Sequence, residues 1–373
     1  MEYRKIGCDD RTASLLGFGC MRFPTTPDGK IDEAEAEKMM DYAIASGVTY
    51  IDTAFPYHNG DSETFVGKVL SKYPRSSYLL ATKLPLWRVK TLDDAKDTFD
   101  LQLKKLNKDY VDFYLLHALN KEKWELCKEI GVIDFLCDLK KEGKIRNIGF
   151  SFHDSYDVFE EIINYFAWDF CQIQLNYMDT CEQAGMKGYE LAESLGIPVV
   201  IMEPIKGGAL ANLPKEVFKI MDSVTPGRSA ASWALRYVAS LPNVKVILSG
   251  MSTFEQVLDN LDTFTNYEDL SDAEWNAVED AADALRARVK NGCTGCAYCM
   301  PCPSGVNIPR IFRIWNNYGM YDNKKGAKKN YFSLELENRA TSCVECGACE
   351  SVCPQHLSII SDLKKADDEL SHL

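Results

Sequence analysis

Residues 78–117 read YLLATKLPLWRVKTLDDAKDTFDLQLKKLNKDYVDFYLLH. Two short apolar runs, Tyr78–Lys83 and Val111–Leu116, flank a stretch of helical length, Leu92–Leu106. An apolar run of about six residues reads as a strand buried on both faces, and apolar positions three and four apart read as an amphipathic helix. Strand, helix, strand in that order implies two parallel strands joined by a crossover helix. The first run ends on Lys83 and the second runs into His117, residue types that apolar strands rarely carry.

The same unit recurs on both sides. Further strand candidates are Leu15–Gly19, Tyr50–Asp52, Ile145–Phe150, Phe170–Gln174, Pro198–Met202 and Val244–Leu248. Helical spacing predicts Ile31–Ser46, Ile130–Glu142, Ser155–Phe166 and Glu182–Leu195, with Gly143 and Gly196 where helix stops belong. Eight such units over about 250 residues predict an α/β fold, a (β/α)8 TIM barrel. The runner-up is an open doubly wound sheet, favoured by Gly-x-Gly-x-x-Gly after the first strand; that position reads GFGCMRF and lacks the third glycine.

Past residue 270 the pattern changes. Ser271–Lys290 predicts one long helix, opened by a Ser with a Glu three residues on. The expected domains are therefore a barrel over 1–270 and a smaller helical and loop domain over 271–373.

That second part holds most of the cysteine. Of 14 Cys in 373 residues, six are scattered: Cys8, Cys20, Cys127, Cys137, Cys171 and Cys181, read as small buried hydrophobes. The other eight form Cys293-x2-Cys296-x2-Cys299-x2-Cys302-Pro303 and Cys343-x2-Cys346-x2-Cys349-x3-Cys353-Pro354. The N-terminus has no secretory h-region, so a cytoplasmic, reducing setting is expected, in which clustered Cys are metal ligands rather than disulfides. The second run fits bacterial ferredoxin spacing, in which the fourth Cys ligates the other cluster; the first is one residue shorter before its last Cys. Crossing the fourth ligands assigns Cys293, Cys296, Cys299 and Cys353 to one 4Fe-4S cluster, and Cys343, Cys346, Cys349 and Cys302 to another. Four-Cys zinc is the competing reading, but zinc sites favour separate CxxC pairs over overlapping triplets.

Lys+Arg of 42 against Asp+Glu of 55 leaves a net charge of −13, which disfavours a nucleic-acid or anionic-membrane partner. No apolar run is long enough for a transmembrane helix.

A barrel places its chemistry after the C-terminal ends of its strands. Asp52, Tyr57, Lys83 and His117 all fall there. Singly, each has a bland reading: a helix cap, a packing tyrosine, a solvated lysine, a structural histidine. Together they supply what reduction of a carbonyl needs. The developing alkoxide requires a proton; a tyrosine near its ordinary pKa of about 10 is a poor donor, and a neighbouring ammonium lowers that pKa. Lys83 is the candidate ammonium, Asp52 its counter-ion, and His117 a donor to the carbonyl or a member of the proton relay.

In these residues the chain resembles the aldo/keto reductases, whose Asp, Tyr, Lys and His tetrad matches Asp52, Tyr57, Lys83 and His117 in order, spacing and strand context, over residues 1–265 or so. The resemblance implies NAD(P)H-dependent reduction of a small-molecule carbonyl substrate, with Tyr57 as general acid. It also implies a cofactor site of Gly19, Met21, Arg22, Asp52, Ser151, Gln172, Met202, Pro204, Ile205, Gly207, Gly208, Gly250, Met251, Ser252, Gln256 and Asn260. Two positions depart from the family pattern: Phe152 stands for an Asn, and Met202 for the aromatic that stacks on the nicotinamide. No basic residue lies near Ser252, so NADP(H) and NAD(H) both stay open. With its cysteine tail, the chain is similar to an iron–sulfur subgroup of the family.

A nicotinamide transfers hydride, whereas the clusters move single electrons. Three readings follow. The clusters are structural or regulatory beside an NAD(P)H-driven barrel; or they relay electrons from a ferredoxin-like donor to a flavin in the barrel; or the chain is a non-catalytic electron-transfer adaptor, against which the intact tetrad counts. The acidic net charge weighs against an acidic ferredoxin, unless Lys324, Lys325, Lys328 and Lys329 form a local basic patch.

Overall fold

The computed structural model describes residues 1–8, 11–265 and 267–373. Its strands are β1 (Tyr3–Lys5), β2 (Thr12–Ser14), β3 (Leu16–Gly19), β4 (Tyr50–Asp52), β5 (Leu79–Leu84), β6 (Val111–Leu119), β7 (Ile145–Phe152), β8 (Phe170–Gln174), β9 (Val199–Met202) and β10 (Val244–Ser249). Strands β3 to β10 run in sequence order around a closed barrel, β10 pairing back onto β3, and every pair is parallel. Closure removes the open-sheet alternative. Strands β1 and β2 form an antiparallel pair.

Side chains on a strand alternate between faces. Tyr50, Leu79, Ala81, Phe113, Leu115, Phe170, Val200 and Val246 pack into one interior cluster, joined by Ile6 and Ala13 from the N-terminal segment. Two residues further along five of these inward rows the residue type changes, while Val246 is followed by Leu248 of the same cluster. Tyr50 gives way to Asp52, Ala81 to Lys83, Leu115 to His117, Phe170 to Gln172 and Val200 to Met202. The apolar floor and the polar mouth are thus successive layers of one inward face.

Helix Leu92–Leu106 shows how the outer ring is fixed. Thr91 and Asp94 form a reciprocal capping box, Asn107 closes the far end in a left-handed conformation, and Ala95, Thr98, Phe99, Gln102 and Leu106 form its buried stripe. The helix expected over Ile130–Glu142 is present as Val132–Lys141, and a further helix, Lys121–Glu129, which the sequence reading did not include, precedes it. The break between them falls at Gly131, whose φ of 71° leaves helical space. The long helix expected over Ser271–Lys290 runs from Asp272 to Arg286.

The described residues fall into two compact units, Met1–Gly208 with Ala231–Ser271, and Ala209–Ala230 with Asp272–Leu373. The second has its own core. Helices Ile308–Tyr321, Lys324–Phe332 and Ile359–Ser371 bury Ile311, Phe312, Trp315, Tyr331, Leu363 and Leu370. Six of the clustered cysteines pack against this core. Among the described residues no helix is long and apolar enough to cross a membrane.

Candidate functional site

Strand β4 is three residues long, and its register sets Asp52 between Gly19 of β3 and Ala81 of β5. Lys83 follows two residues after Ala81 on the same inward face. Its ammonium donates to Asp52 Oδ1 at 2.6 Å, to the Thr53 carbonyl at 2.9 Å and to Tyr57 OH at 3.3 Å. Three N–H donors meet three acceptors, which is how a lysine with no solvent exposure is accommodated. Tyr57 opens a short turn just past β4, held by its own N–H to the Ala54 carbonyl at 3.1 Å. The His117 ring lies edge-on to Tyr57 with centroids 6.2 Å apart, and Trp87 lies 5.1 Å from His117 on another side.

Burial lowers the Lys83 pKa, but the Asp52 charge and Tyr57 outweigh it and hold the ammonium above its ordinary value. Burial lifts the Tyr57 phenol above its ordinary value, and the Lys83 charge offsets this only in part. The lowering expected from the ammonium is therefore present but outweighed by desolvation, and the free enzyme keeps the phenol protonated. Burial first, then the charges of Lys83, His153 and Lys123, push His117 well below its ordinary value. The imidazole is neutral, and its Nδ1 is buried without a partner.

A polar network missed in the sequence anchors the lysine's strand from behind. Gln102 Nε2 donates to the Lys83 carbonyl at 3.0 Å and to Glu63 Oε1 at 2.6 Å, while Gln102 Oε1 accepts from Tyr114 OH at 2.7 Å. Thr82 Oγ1 donates to the same Glu63 oxygen at 2.8 Å. The available signal was a glutamine on the apolar stripe of helix Leu92–Leu106.

Of the residues expected to hold a nicotinamide cofactor, Ser151, Gln172 and Met202 lie on strands β7, β8 and β9. Gln172 Nε2 faces Met202 Sδ at 3.5 Å, and Gln172 Oε1 is buried with no partner, an acceptor suited to an amide N–H. Ser151 Oγ accepts the Ala118 N–H at 2.7 Å. Phe152 is on the outward face of β7, with its ring 5.2 Å from Phe159, so it does not stand in the mouth. Gly207 and Gly208 take φ of 63° and 99°, a turn open to glycine, and Gly208 N donates to the Ile205 carbonyl at 2.9 Å in the segment begun by Pro204. The Arg22 side chain bridges the two glycine turns. A Cβ on Gly250 would stand 3.2 Å from Arg22 Cδ, and one on Gly207 would stand 3.7 Å from Arg22 Nη2.

Other members of the set are engaged internally. Ser252 Oγ donates to the Arg22 carbonyl at 2.8 Å, Ser252 N donates to Gln256 Oε1 at 2.7 Å, and Asn260 Nδ2 donates to Ser249 Oγ at 2.7 Å. Gly19 approaches the Ser249–Gly250 backbone, Met251 is buried, and Met21 is exposed.

The structure brings the eight clustered cysteines together in two sets of four. Cys302, Cys343, Cys346 and Cys349 line one cavity with Val306, Ile308 and Leu363. Cys293, Cys296, Cys299 and Cys353 line another with Ile308, Phe312 and Leu357. Among the described residues no three Cys, His, Asp or Glu side chains are placed to hold a single metal ion. Four thiols around an apolar hollow are the donor set of an iron–sulfur cluster. Lys324, Lys325, Lys328 and Lys329 lie on one nine-residue helix, where Lys328 Nζ donates to the Leu373 carbonyl at 2.5 Å.

Residues 15–283 match the aldo/keto reductase family, and residues 292–357 match a 4Fe-4S dicluster domain. The NADH-specific methylglyoxal reductase of Escherichia coli (strain K12) is 25% identical over 335 residues, covering 76% of this chain and 99% of that one. An aldo-keto reductase of Mycolicibacterium vanbaalenii is 30% identical over 264 residues, covering 69% and 84%. The solved structure of an aldo-keto reductase from Bacillus halodurans, in its holo form, superposes with a TM-score of 0.62 at 27% identity, covering 75% of this chain and 96% of that one.

Proposed function

The chain belongs to the aldo/keto reductase family, with a 4Fe-4S dicluster domain later in its sequence, and from that premise we propose that it reduces a small aldehyde or ketone with NAD(P)H and carries two clusters. The observation that carries the reading is the Tyr57 hydroxyl at 3.3 Å from a fully buried Lys83 ammonium, beside a neutral His117. A reduced nicotinamide, when bound, supplies the hydride to the carbonyl carbon. Tyr57 gives its proton to the carbonyl oxygen, so the product leaves as an alcohol. Lys83 stabilises the phenolate left behind, and Asp52 holds Lys83 in place until water returns the proton. His117 orients the carbonyl through an N–H and, being neutral, adds no charge to the mouth. Gln172 and Ser151 would hold the carboxamide, while Arg22, Gly207 and Gly208 would meet the phosphates.

The barrel domain is proposed as 1–270 and the cluster domain as 271–373. Cys293, Cys296, Cys299 and Cys353 would hold one cluster, and Cys302, Cys343, Cys346 and Cys349 the other. Hydride chemistry draws on neither, so their role in this reading is structural or regulatory. The test is anaerobic purification followed by iron, sulfide and flavin analysis, with NADH and NADPH oxidation assayed against a panel of carbonyls. Eight iron per chain, no flavin and carbonyl-dependent oxidation are expected. A bound flavin, with turnover only from a one-electron donor, would overturn the reading.

A further inference from the structure

The wall of the mouth beside His117 is built from side chains that reduction itself does not require. Trp87, half exposed, has its ring centroid 5.1 Å from that of His117. Lys123 sits 5.7 Å above the Trp87 ring, and its ammonium donates to the Ala118 carbonyl at 2.7 Å, one residue from His117. His153 follows β7 directly, is tied by its N–H to the Leu119 carbonyl at 2.9 Å, and is braced through its ring by Gln183 at 3.1 Å.

Lys123 forms no salt bridge among the described residues, whereas Lys128 on the same helix pairs with Glu125 and Glu161. It uses one N–H on Ala118 and leaves two directed elsewhere. The nearest acid acting on it is its chain neighbour Glu122, and Glu203 acts on His153. An ammonium, an imidazole and an indole therefore border the carbonyl position, without a paired carboxylate to neutralise the ammonium.

We propose that the substrate is a carbonyl compound bearing an anionic group, a carboxylate or a phosphate, received by Lys123 and His153 while Trp87 covers its apolar part. This rests on the reading of the barrel as a carbonyl reductase and adds the substrate's charge to it. Partly desolvated at the mouth, Lys123 gives a charge-assisted hydrogen bond stronger than a neutral one. The bond to Ala118 fixes the ammonium relative to His117, so the anion is read at a set distance from the reacting carbon.

The test compares 4-formylbenzoate with its methyl ester, which removes the charge at the far end of a rigid ring, and reads the acid-to-ester ratio across variants so that the intrinsic difference in aldehyde reactivity cancels. The wild-type holoenzyme is expected to favour the acid in kcat/KM, mainly through KM. The acid-to-ester ratio should fall about ten- to a hundred-fold in Lys123→Met, fall further in Lys123→Glu, and be retained in Lys123→Arg. A ratio unchanged across the three variants, or a wild-type preference for the ester, would overturn the proposal. Binding supplies a readout independent of turnover. Fluorescence quenching by 4-formylbenzoate, absent in Trp87→Phe and weakened in Lys123→Met, supports the anion site even if no nicotinamide-driven reaction is seen; equal quenching by acid and ester sinks it.

Discussion

Lys83 and Asp52 face each other at 2.6 Å with both side chains buried, and the third ligand of that ammonium is the Tyr57 hydroxyl. The pair therefore serves the fold and the chemistry together. Removing one partner leaves a buried charge unmatched, which typically costs about 3–5 kcal/mol, whereas replacing both by apolar groups costs much less. Lys83→Met is expected to lower stability by about that amount, and Lys83→Met with Asp52→Leu to recover most of it. Denaturant titration of the four-member cycle checks this; additive losses would show that the pair is not coupled.

Tyr57→Phe deletes a hydroxyl and little else. Loss of a general acid lowers rate by roughly 10²- to 10⁴-fold. The expected outcome is that fall in kcat with nicotinamide affinity retained, measured by fluorescence titration. Because the phenol is held above its ordinary value, the reductive kcat/KM should not decline through this group until the pH exceeds about 10. A decline setting in near pH 8 would mean that the Lys83 charge outweighs burial after all.

His117 predicts a loss of stability on the acid side. Its folded pKa lies well below the ordinary value, so as pH falls past about 6.5 the unfolded chain takes up a proton that the folded chain refuses. The stabilisation is complete above that pH and lost progressively below it, down to the folded pKa. His117→Gln should show a shallower fall in Tm between pH 7 and pH 5 than the wild type. Some slope remains, because burial also lowers His153. Parallel Tm profiles would remove His117 from the account.

Much of this arrangement was legible in the chain because the barrel repeats one rule. Alternation along a strand puts Lys83 on the face of Leu79 and Ala81, and His117 on that of Phe113 and Leu115, so a polar residue closing an apolar run already points into the mouth. Helix Lys121–Glu129 was not legible, since its stretch buries only Trp124 and Cys127, too few apolar positions to mark a face. The Thr53 carbonyl was invisible for a different reason: a backbone acceptor leaves no mark on residue type. The net rise at Tyr57 depends on how much protein surrounds the ring, which spacing does not report.

Gln172 gives a prediction with two opposed readouts. Its Oε1 is buried and unpartnered, so the free protein carries the desolvation cost of an acceptor with nothing to accept. Gln172→Leu should leave the free protein as stable or more so by thermal melting. The same change should weaken NAD(P)H binding about ten-fold, by removing the acceptor for the carboxamide N–H. Weaker folding with unchanged cofactor affinity would assign Gln172 to structure alone.

The cysteine grouping, the same as the one expected from the ferredoxin spacing, makes a prediction about the exchanged fourth ligands. Cys302 lies in the first run but lines the cavity of Cys343, Cys346 and Cys349, and Cys353 lies in the second run but lines that of Cys293, Cys296 and Cys299. A serine oxygen binds iron more weakly than a thiolate, so each Cys→Ser change should drain or shift one cluster and spare the other. Cys302→Ser should therefore give the same residual electron paramagnetic resonance spectrum after reduction as Cys343→Ser. Cys353→Ser should match Cys293→Ser. Pairing by run, with Cys302→Ser resembling Cys293→Ser, would show that the fourth ligands are not exchanged. Equal damage to both signals from every variant would mean that the two clusters assemble as one unit, coupled through Ile308, which lines both cavities.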